Sequence, residues 1–262
     1  MRFLSLIALS AFQSVMGQSH AIKNPDGKVQ GNKKARIKTL HYNTVHPNCK
    51  ISISYPVLSG ILNDSLERVR NREFSKEAIA RKNGLMQDAV ELYKNPDCRA
   101  MEDAYISDEV TIGLLTPQYF SYYVGEGGMY YCLPHSMPAN YKFHTLDLRT
   151  GRLLTLEDMF AGYDSTWADT IAVKARAYYD VGMGEVPPAN AGIFAPWNYR
   201  YKEEFLLQDT VISFHFYPSE VNVQVDGLDI WISIPYSAIK SIIHTDSPLY
   251  QFVNNGKPQI NK

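Results

Sequence analysis

Lys50-Ile51-Ser52-Ile53-Ser54-Tyr55-Pro56-Val57-Leu58 decides the fold class. Ile51, Ile53 and Tyr55 alternate with Ser52 and Ser54, the period of a strand with one face buried. Pro56 has no N–H to give a ladder, so it ends the pairing or marks an edge. Ser59-Gly60 breaks the strand, Ser59 or Asn63 can cap a helix after it, and the period then changes. Leu62, Leu66 and Val69, and later Met86, Val90 and Tyr93, fall at helical spacing among charged residues. Asn83-Gly84 predicts a split of this stretch into two helices, and Asn95-Pro96 ends it.

Outward from that centre, most segments have strand character. Ala35 to Asn43 alternates upstream. Downstream, Tyr105 to Leu115 and Gln118 to Val124 predict a hairpin around Thr116-Pro117, and Tyr141 to Leu148 predicts a strand with a turn at Thr150-Gly151. Thr155 caps a short helix, Leu156 to Phe160, whose Glu157 and Asp158 favour the positive end of its dipole. Ser165 caps a second, Thr166 to Tyr179. Val181 to Asn198 is rich in Gly, Pro and Ala and reads as a surface loop. Glu204 to Leu207, Val211 to Phe216 and Ile230 to Ile234 are late strands, and Pro235 to Ile242 is a last short helix. Strands before, between and after helices, without regular βαβ alternation, give an α+β fold: a mainly antiparallel sheet packed with a few helices. A boundary near Asp97 to Asp103 would separate a small N-terminal α/β unit (35–100) from a larger α+β unit (101–245), the two sharing one sheet. Residues 246–262 read as a loose tail.

The first residues have the three parts of a secretory signal: Arg2, the apolar Phe3 to Phe12, and Val15-Met16-Gly17, which offers small residues at the two positions a signal peptidase reads. We expect cleavage after Gly17, a polar flexible leader over 18–34, and a periplasmic or secreted protein. No later stretch approaches the length of a membrane span, so no transmembrane anchor is expected. The chain carries 26 basic and 27 acidic residues, a balance that argues against nucleic acid. Three cysteines without CxxC spacing do not suggest zinc. In an oxidising compartment one disulfide is expected. Cys49 and Cys98 flank the long helix, and their pairing would staple its ends to the preceding strand; Cys132 would be left over.

Catalytic signatures are weak. There is no G-x-S-x-G elbow, no H-E-x-x-H, no phosphate loop and no Cys/His cluster. Ser237 and Lys240 fit S-x-x-K without its companion motifs. Glu157-Asp158 and Glu203-Glu204 are adjacent carboxylates, not a pair facing across a cleft. No cofactor and no metal site are expected. The most unusual segment is Tyr119 to Tyr131, YFSYYVGEGGMYY. Gly125, Gly127 and Gly128 permit positive φ or close approach. They predict a Gly turn presenting Tyr122, Tyr123, Tyr130 and Tyr131 around Glu126 and Met129, much as rigid aromatics dominate binding hot spots.

Three stretches carry a family resemblance: Tyr122 to Met129; Phe143-His144-Thr145-Leu146-Asp147-Leu148-Arg149-Thr150-Gly151-Arg152 with Leu154 to Phe160; and Phe205 through Ile212 to Glu220 and on to Ile234-Pro235-Tyr236. In this order they resemble the extracytoplasmic domain of the RsiV-like family, found in lysozyme-sensing anti-sigma factors and in many envelope proteins, Bacteroidetes ones included. Pro56 to Gly60 before the long helix is similar to the smaller domain that often precedes it. The resemblance implies an α+β domain without a catalytic centre and lysozyme as a partner. Met129-Tyr130 stands where relatives carry Ala-His, and no sigma-binding segment is present, so signalling is not implied. The expected function is non-catalytic binding of lysozyme or a cell-wall glycan in the envelope. The alternative is a cell-wall-modifying enzyme, hydrolase or deacetylase, or its accessory domain.

Overall fold

The computed structural model describes residues 34–43, 49–60, 64–94, 96, 104–116, 118–129, 140–160, 166–179, 194–217, 230–247 and 249–254. The signal and leader segments, Cys98, Cys132, Tyr130 and Tyr131 lie outside them. Five strands form the first sheet in the order β1-β2-β3-β4-β5: β1 (Lys34–Asn43), β2 (Cys49–Ser59), β3 (Ala104–Leu115), β4 (Tyr119–Met129) and β5 (Asn140–Asp147). Three more form a second sheet: β6 (Phe205–Leu207), β7 (Val211–Phe216) and β8 (Ile230–Pro235). The fold is α+β, and every pairing except β2 with β3 is antiparallel.

The parallel pair follows from α1 (Asp64–Tyr93), since two parallel neighbours need a long crossover. This pairing also carries the first sheet across residues 97–103, joining 34–59 to 104–147. Among the described residues β2 is flanked on both sides only over Lys50–Ile53; beyond that β1 alone pairs with it, and Pro56 sits in this one-sided half. Where the parallel ladder stops, the Ser54 hydroxyl continues it, accepting from the Val110 N–H at 2.6 Å and donating to the Asp108 carbonyl at 3.1 Å.

α1 is one unbroken helix of 30 residues, not two. Gly84 has open space where a Cβ would be, so the helix carries it through at the ordinary propensity cost of about 1 kcal/mol. Leu66 and Met86 of the expected stripe pack against the core, but the rest of it differs. Phe74, Ala78 and Ala89 face the sheet, whereas Val69 and Val90 are half exposed. Polar clamps hold the helix down. The Asn71 amide donates to the Leu58 carbonyl and accepts from the Leu58 N–H, both at 2.8 Å. Arg81 pairs with Asp108 at 2.6 Å, and Arg70 donates to the carbonyl of Gly151, which takes the left-handed conformation of its turn (φ 75°).

The C-terminal core lies on the far side of the second sheet. Ile212, Phe214, Phe216, Ile230, Ile232 and Ile234 pack there against α2 (Thr166–Tyr178) and α3 (Pro196–Arg200). The helix α3 begins within the expected surface loop. The expected last helix is a 3-10 segment, Tyr236–Ile242, and the expected loose tail contains α4 (Tyr250–Asn254). Thr155 and Asp158 cap the 3-10 turn Leu156–Asp158, the carboxylate accepting from the Thr155 N–H at 2.8 Å. The layers are therefore helix, sheet, sheet, helix. The sheets meet closely at Gly113, where a Cβ would lie 2.5 Å from the Leu207 carbonyl oxygen.

Candidate functional site

β4 runs straight through the expected Gly turn. Gly125, Gly127 and Gly128 pair with Glu109, Ser107 and Ile106 of β3, and Glu126 and Met129 also lie in the strand. Extended backbone sends successive side chains to opposite faces, so the tyrosines are divided, not gathered. Tyr122 points to the helix side and is 3% exposed. It is stacked on Phe120 and His144 (centroids 4.8 and 5.0 Å) with its ring edge-on to Phe74. A ring enclosed in this way offers no face to a partner, and burial drives its hydroxyl pKa upward.

Tyr123 points the other way, into the space between the sheets. It meets Tyr141 at 5.5 Å, Phe143 at 5.4 Å and Trp231 at 5.5 Å. His215, fully buried, lies 4.6 Å from Tyr141, 5.0 Å from Trp231 and 4.8 Å from Tyr217. The Tyr217 hydroxyl accepts from the Tyr141 N–H at 2.9 Å and ties the two sheets together. These rings belong to neither apolar core, and all but His215 are partly exposed. Among the described residues β5 and β8 are outer strands of their sheets, so the cluster lies along one side of the sandwich. At the other end of the same space, hydroxyls take over. Ser121 and Thr145 hydrogen-bond at 2.9 Å, Ser121 accepts from the Leu207 N–H at 3.0 Å, and Ser213 bonds Ser233 at 2.8 Å.

Sequence reasoning placed one member of this cluster, Tyr123. It missed Tyr141, Phe143, His215, Tyr217 and Trp231. Their signal was present as rings at alternate positions, Tyr141 with Phe143 and His215 with Tyr217, but nothing in the chain announces which strands will be stacked. The two histidines lie apart: His144 packs on Tyr122 beneath α1, and His215 lies across the sheet against Phe143. Burial, with Arg81 and Lys142 nearby, lowers the His144 pKa to about 4. Among the described residues no group of His, Cys, Asp and Glu is arranged to hold a metal ion. Cys49 is buried at the start of β2.

A second feature is a cleft of about 530 Å³ beside the Asp147–Asp158 segment. Its chemistry is organised by ion pairs. Arg149 donates to both Asp147 oxygens (3.1 and 3.0 Å) and to the Tyr119 hydroxyl (3.3 Å); Arg152 donates to both Asp158 oxygens (3.1 and 2.7 Å). Burial pulls both carboxyl pKa values upward, but the hydrogen bonds from Arg149 and Arg152 outweigh it and hold them below the usual range. Both acids are thus kept as anions paired to arginine, an arrangement that stabilises the turn and is poor at proton transfer.

No protein-family model matches the sequence, and no curated protein does. Among solved structures, the chain is similar to a member of the DUF3298 family from Bacteroides fragilis, with a TM-score of 0.56 and 17% identity over 87% of this chain and 100% of that one. It is also similar to a DUF3298 family protein from Pseudomonas aeruginosa, with a TM-score of 0.53 and 9% identity over 83% and 97%. At these identities the likeness is one of fold.

Proposed function

We propose that the chain is an exported, non-catalytic binding protein of the bacterial cell envelope, whose contact surface is built on the rings along the side of the sandwich and whose partner is lysozyme or a cell-wall component. The observation that supports it most is the partly exposed group Tyr123, Tyr141, Phe143 and Trp231, held rigid by two sheets yet outside both cores. Rigid aromatics supply large contact area at small entropic cost, which is why they dominate binding hot spots. Export is supported by the signal-like Arg2 to Gly17. The RsiV-like resemblance supports lysozyme as partner, and the bacterial structural neighbours share the fold it implies. Among the described residues no helix is long and apolar enough to cross a membrane.

The test is titration of the processed chain, Gln18 to Lys262, with lysozyme and with peptidoglycan fragments, with metal content assayed on the same sample. Saturable binding to either is expected, weakened at least tenfold when Tyr123 and Trp231 are both changed to Ala while the melting profile stays cooperative. Binding that survives this double change removes the rings from the contact. No binding together with stoichiometric metal would instead support the cell-wall-modifying enzyme.

A further inference from the structure

A second aromatic surface stands on α3, apart from the rings between the sheets. Trp197 is 62% exposed and Tyr201 71%. Trp197 lies in the helix, Tyr201 caps its C-terminal end, and both line the same groove. Tyr199 between them points inward, fully buried and edge-on to Phe214 and Phe216 at 5.2 and 5.4 Å. The turn is thus nailed to the C-terminal core while two of its large rings stand in water. Adjacent large rings left in water mark a contact site more often than isolated ones do.

Beside them opens a groove of about 250 Å³. Lys202 and Phe216 line it. The Lys202 side chain is 4% exposed, its ammonium 2.9 Å from a Glu204 oxygen and 4.5 Å from the Phe216 ring centre. The buried Lys202 ammonium fixes the position of the partly exposed Glu204 carboxylate. Glu203, exposed, adds a second carboxylate, and Asn198 an amide.

We propose that this groove binds a glycan, one sugar face lying on Trp197 or Tyr201 and its hydroxyls meeting Glu203, Glu204 and Asn198. A pyranose has an apolar C–H face and a rim of hydroxyl donors. The first matches an indole or phenol ring, and the second matches carboxylates, which accept strongly from O–H groups. Competing occupants fit less well. A cation would meet Lys202 inside the groove and Arg200 already 5.4 Å from the Tyr201 ring centre. An apolar ligand would strip water from Glu203 and from the Lys202–Glu204 pair without replacing the hydrogen bonds. The volume is below the roughly 300–1,000 Å³ of pockets that enclose a drug-sized ligand, so the groove takes one or two rings of a chain laid across the surface. The site shares no residue with the cluster between the sheets and does not depend on the function proposed for it.

The experiment uses the processed chain with three probes: the β-1,4-linked N-acetylglucosamine tetramer, cellotetraose, and co-sedimentation with purified peptidoglycan. Binding to at least one is expected, weakened about tenfold or more by Trp197→Ala and by Tyr201→Ala and several-fold by Glu203→Gln. Melting temperatures should stay unchanged, because these side chains are exposed. The proposal is overturned if the wild type binds none of the three probes, or if the Trp197→Ala/Tyr201→Ala double variant binds as well as wild type.

Discussion

The five-stranded sheet has two faces made by alternate residues of the same strands, and they are filled differently. Beneath α1, Ile51, Ile53, Phe120, Tyr122 and Leu146 close a dry core. Its buried polar groups, Asp108 with Arg81 and the Ser54 hydroxyl, are held in defined pairs. Across the sheet, one residue further along each strand, stand Ser121, Tyr123, Phe143 and Thr145, facing a second sheet whose hydroxyls and rings meet them. A helix presents a curved surface that small residues such as Ala78 and Ala89 let settle onto the strands. A second sheet stands off by a spacing of about 10 Å, and rings or paired hydroxyls must bridge it. The helix side therefore carries stability, and the sheet side leaves partly exposed chemistry along one flank.

Substitutions on each face test that division, the largest effect first. Phe120→Ala opens a cavity in a fully buried site and should cost about 3–5 kcal/mol in urea unfolding. By contrast, Trp231→Ala across the sheet should cost under half as much, and equal losses would abolish the distinction between the faces. Asp108→Ala leaves Arg81 facing a vacated pocket and should cost about 3 kcal/mol; a neutral result would mean that the pair is idle.

His144 gives the helix side a pH signature. Its folded pKa of about 4 lies below the usual value near 6.5, so the unfolded chain binds the extra proton first. Stability is fully present above pH 6.5 and falls between about 6.5 and 4, by on the order of 2–3 kcal/mol. His144→Phe should flatten that limb in melts run from pH 7 to 4.5, and a limb of unchanged slope would assign it elsewhere. The smallest effect has the opposite sign. Gly84→Ala should raise stability by about 0.5–1 kcal/mol, whereas Gly113→Ala, driven into the Leu207 carbonyl, should lower it by about 1–3 kcal/mol. Two glycines of equal propensity would thus separate solvent from the sheet-to-sheet contact, read by the same thermal melts.

Local pattern carried much of the architecture. The alternation in Lys50 to Leu58, the long helical stretch, the hairpin around Thr116 and the Thr155 cap were all legible because each depends on neighbours in sequence. What failed depended on tertiary contacts. Asn83-Gly84 resembles a helix stop, yet α1 runs on because Phe74, Ala78 and Ala89 hold both halves to one sheet. The glycines of β4 resemble a turn, yet they are paired on both sides up to Gly125 and Glu126. The tyrosine-rich segment pointed to the right strand but counted both of its faces. The facing rings come from residues about a hundred positions downstream (Tyr123 with Trp231), and only the stacking of the sheets brings them together.

β1 has consequences beyond the fold. Among the described residues it is the outer strand of its sheet, ten residues long, with no strand on its far side. Such an edge is a template for another chain's backbone. Arg36 and Lys38 stand exposed on it, flanking the half-exposed Ile37, so a second copy aligning there would bring like charges together. In a concentrated solution these two cations act as gatekeepers against stacking into fibrils, a colloidal role that binding and stability measurements on dilute protein would not register.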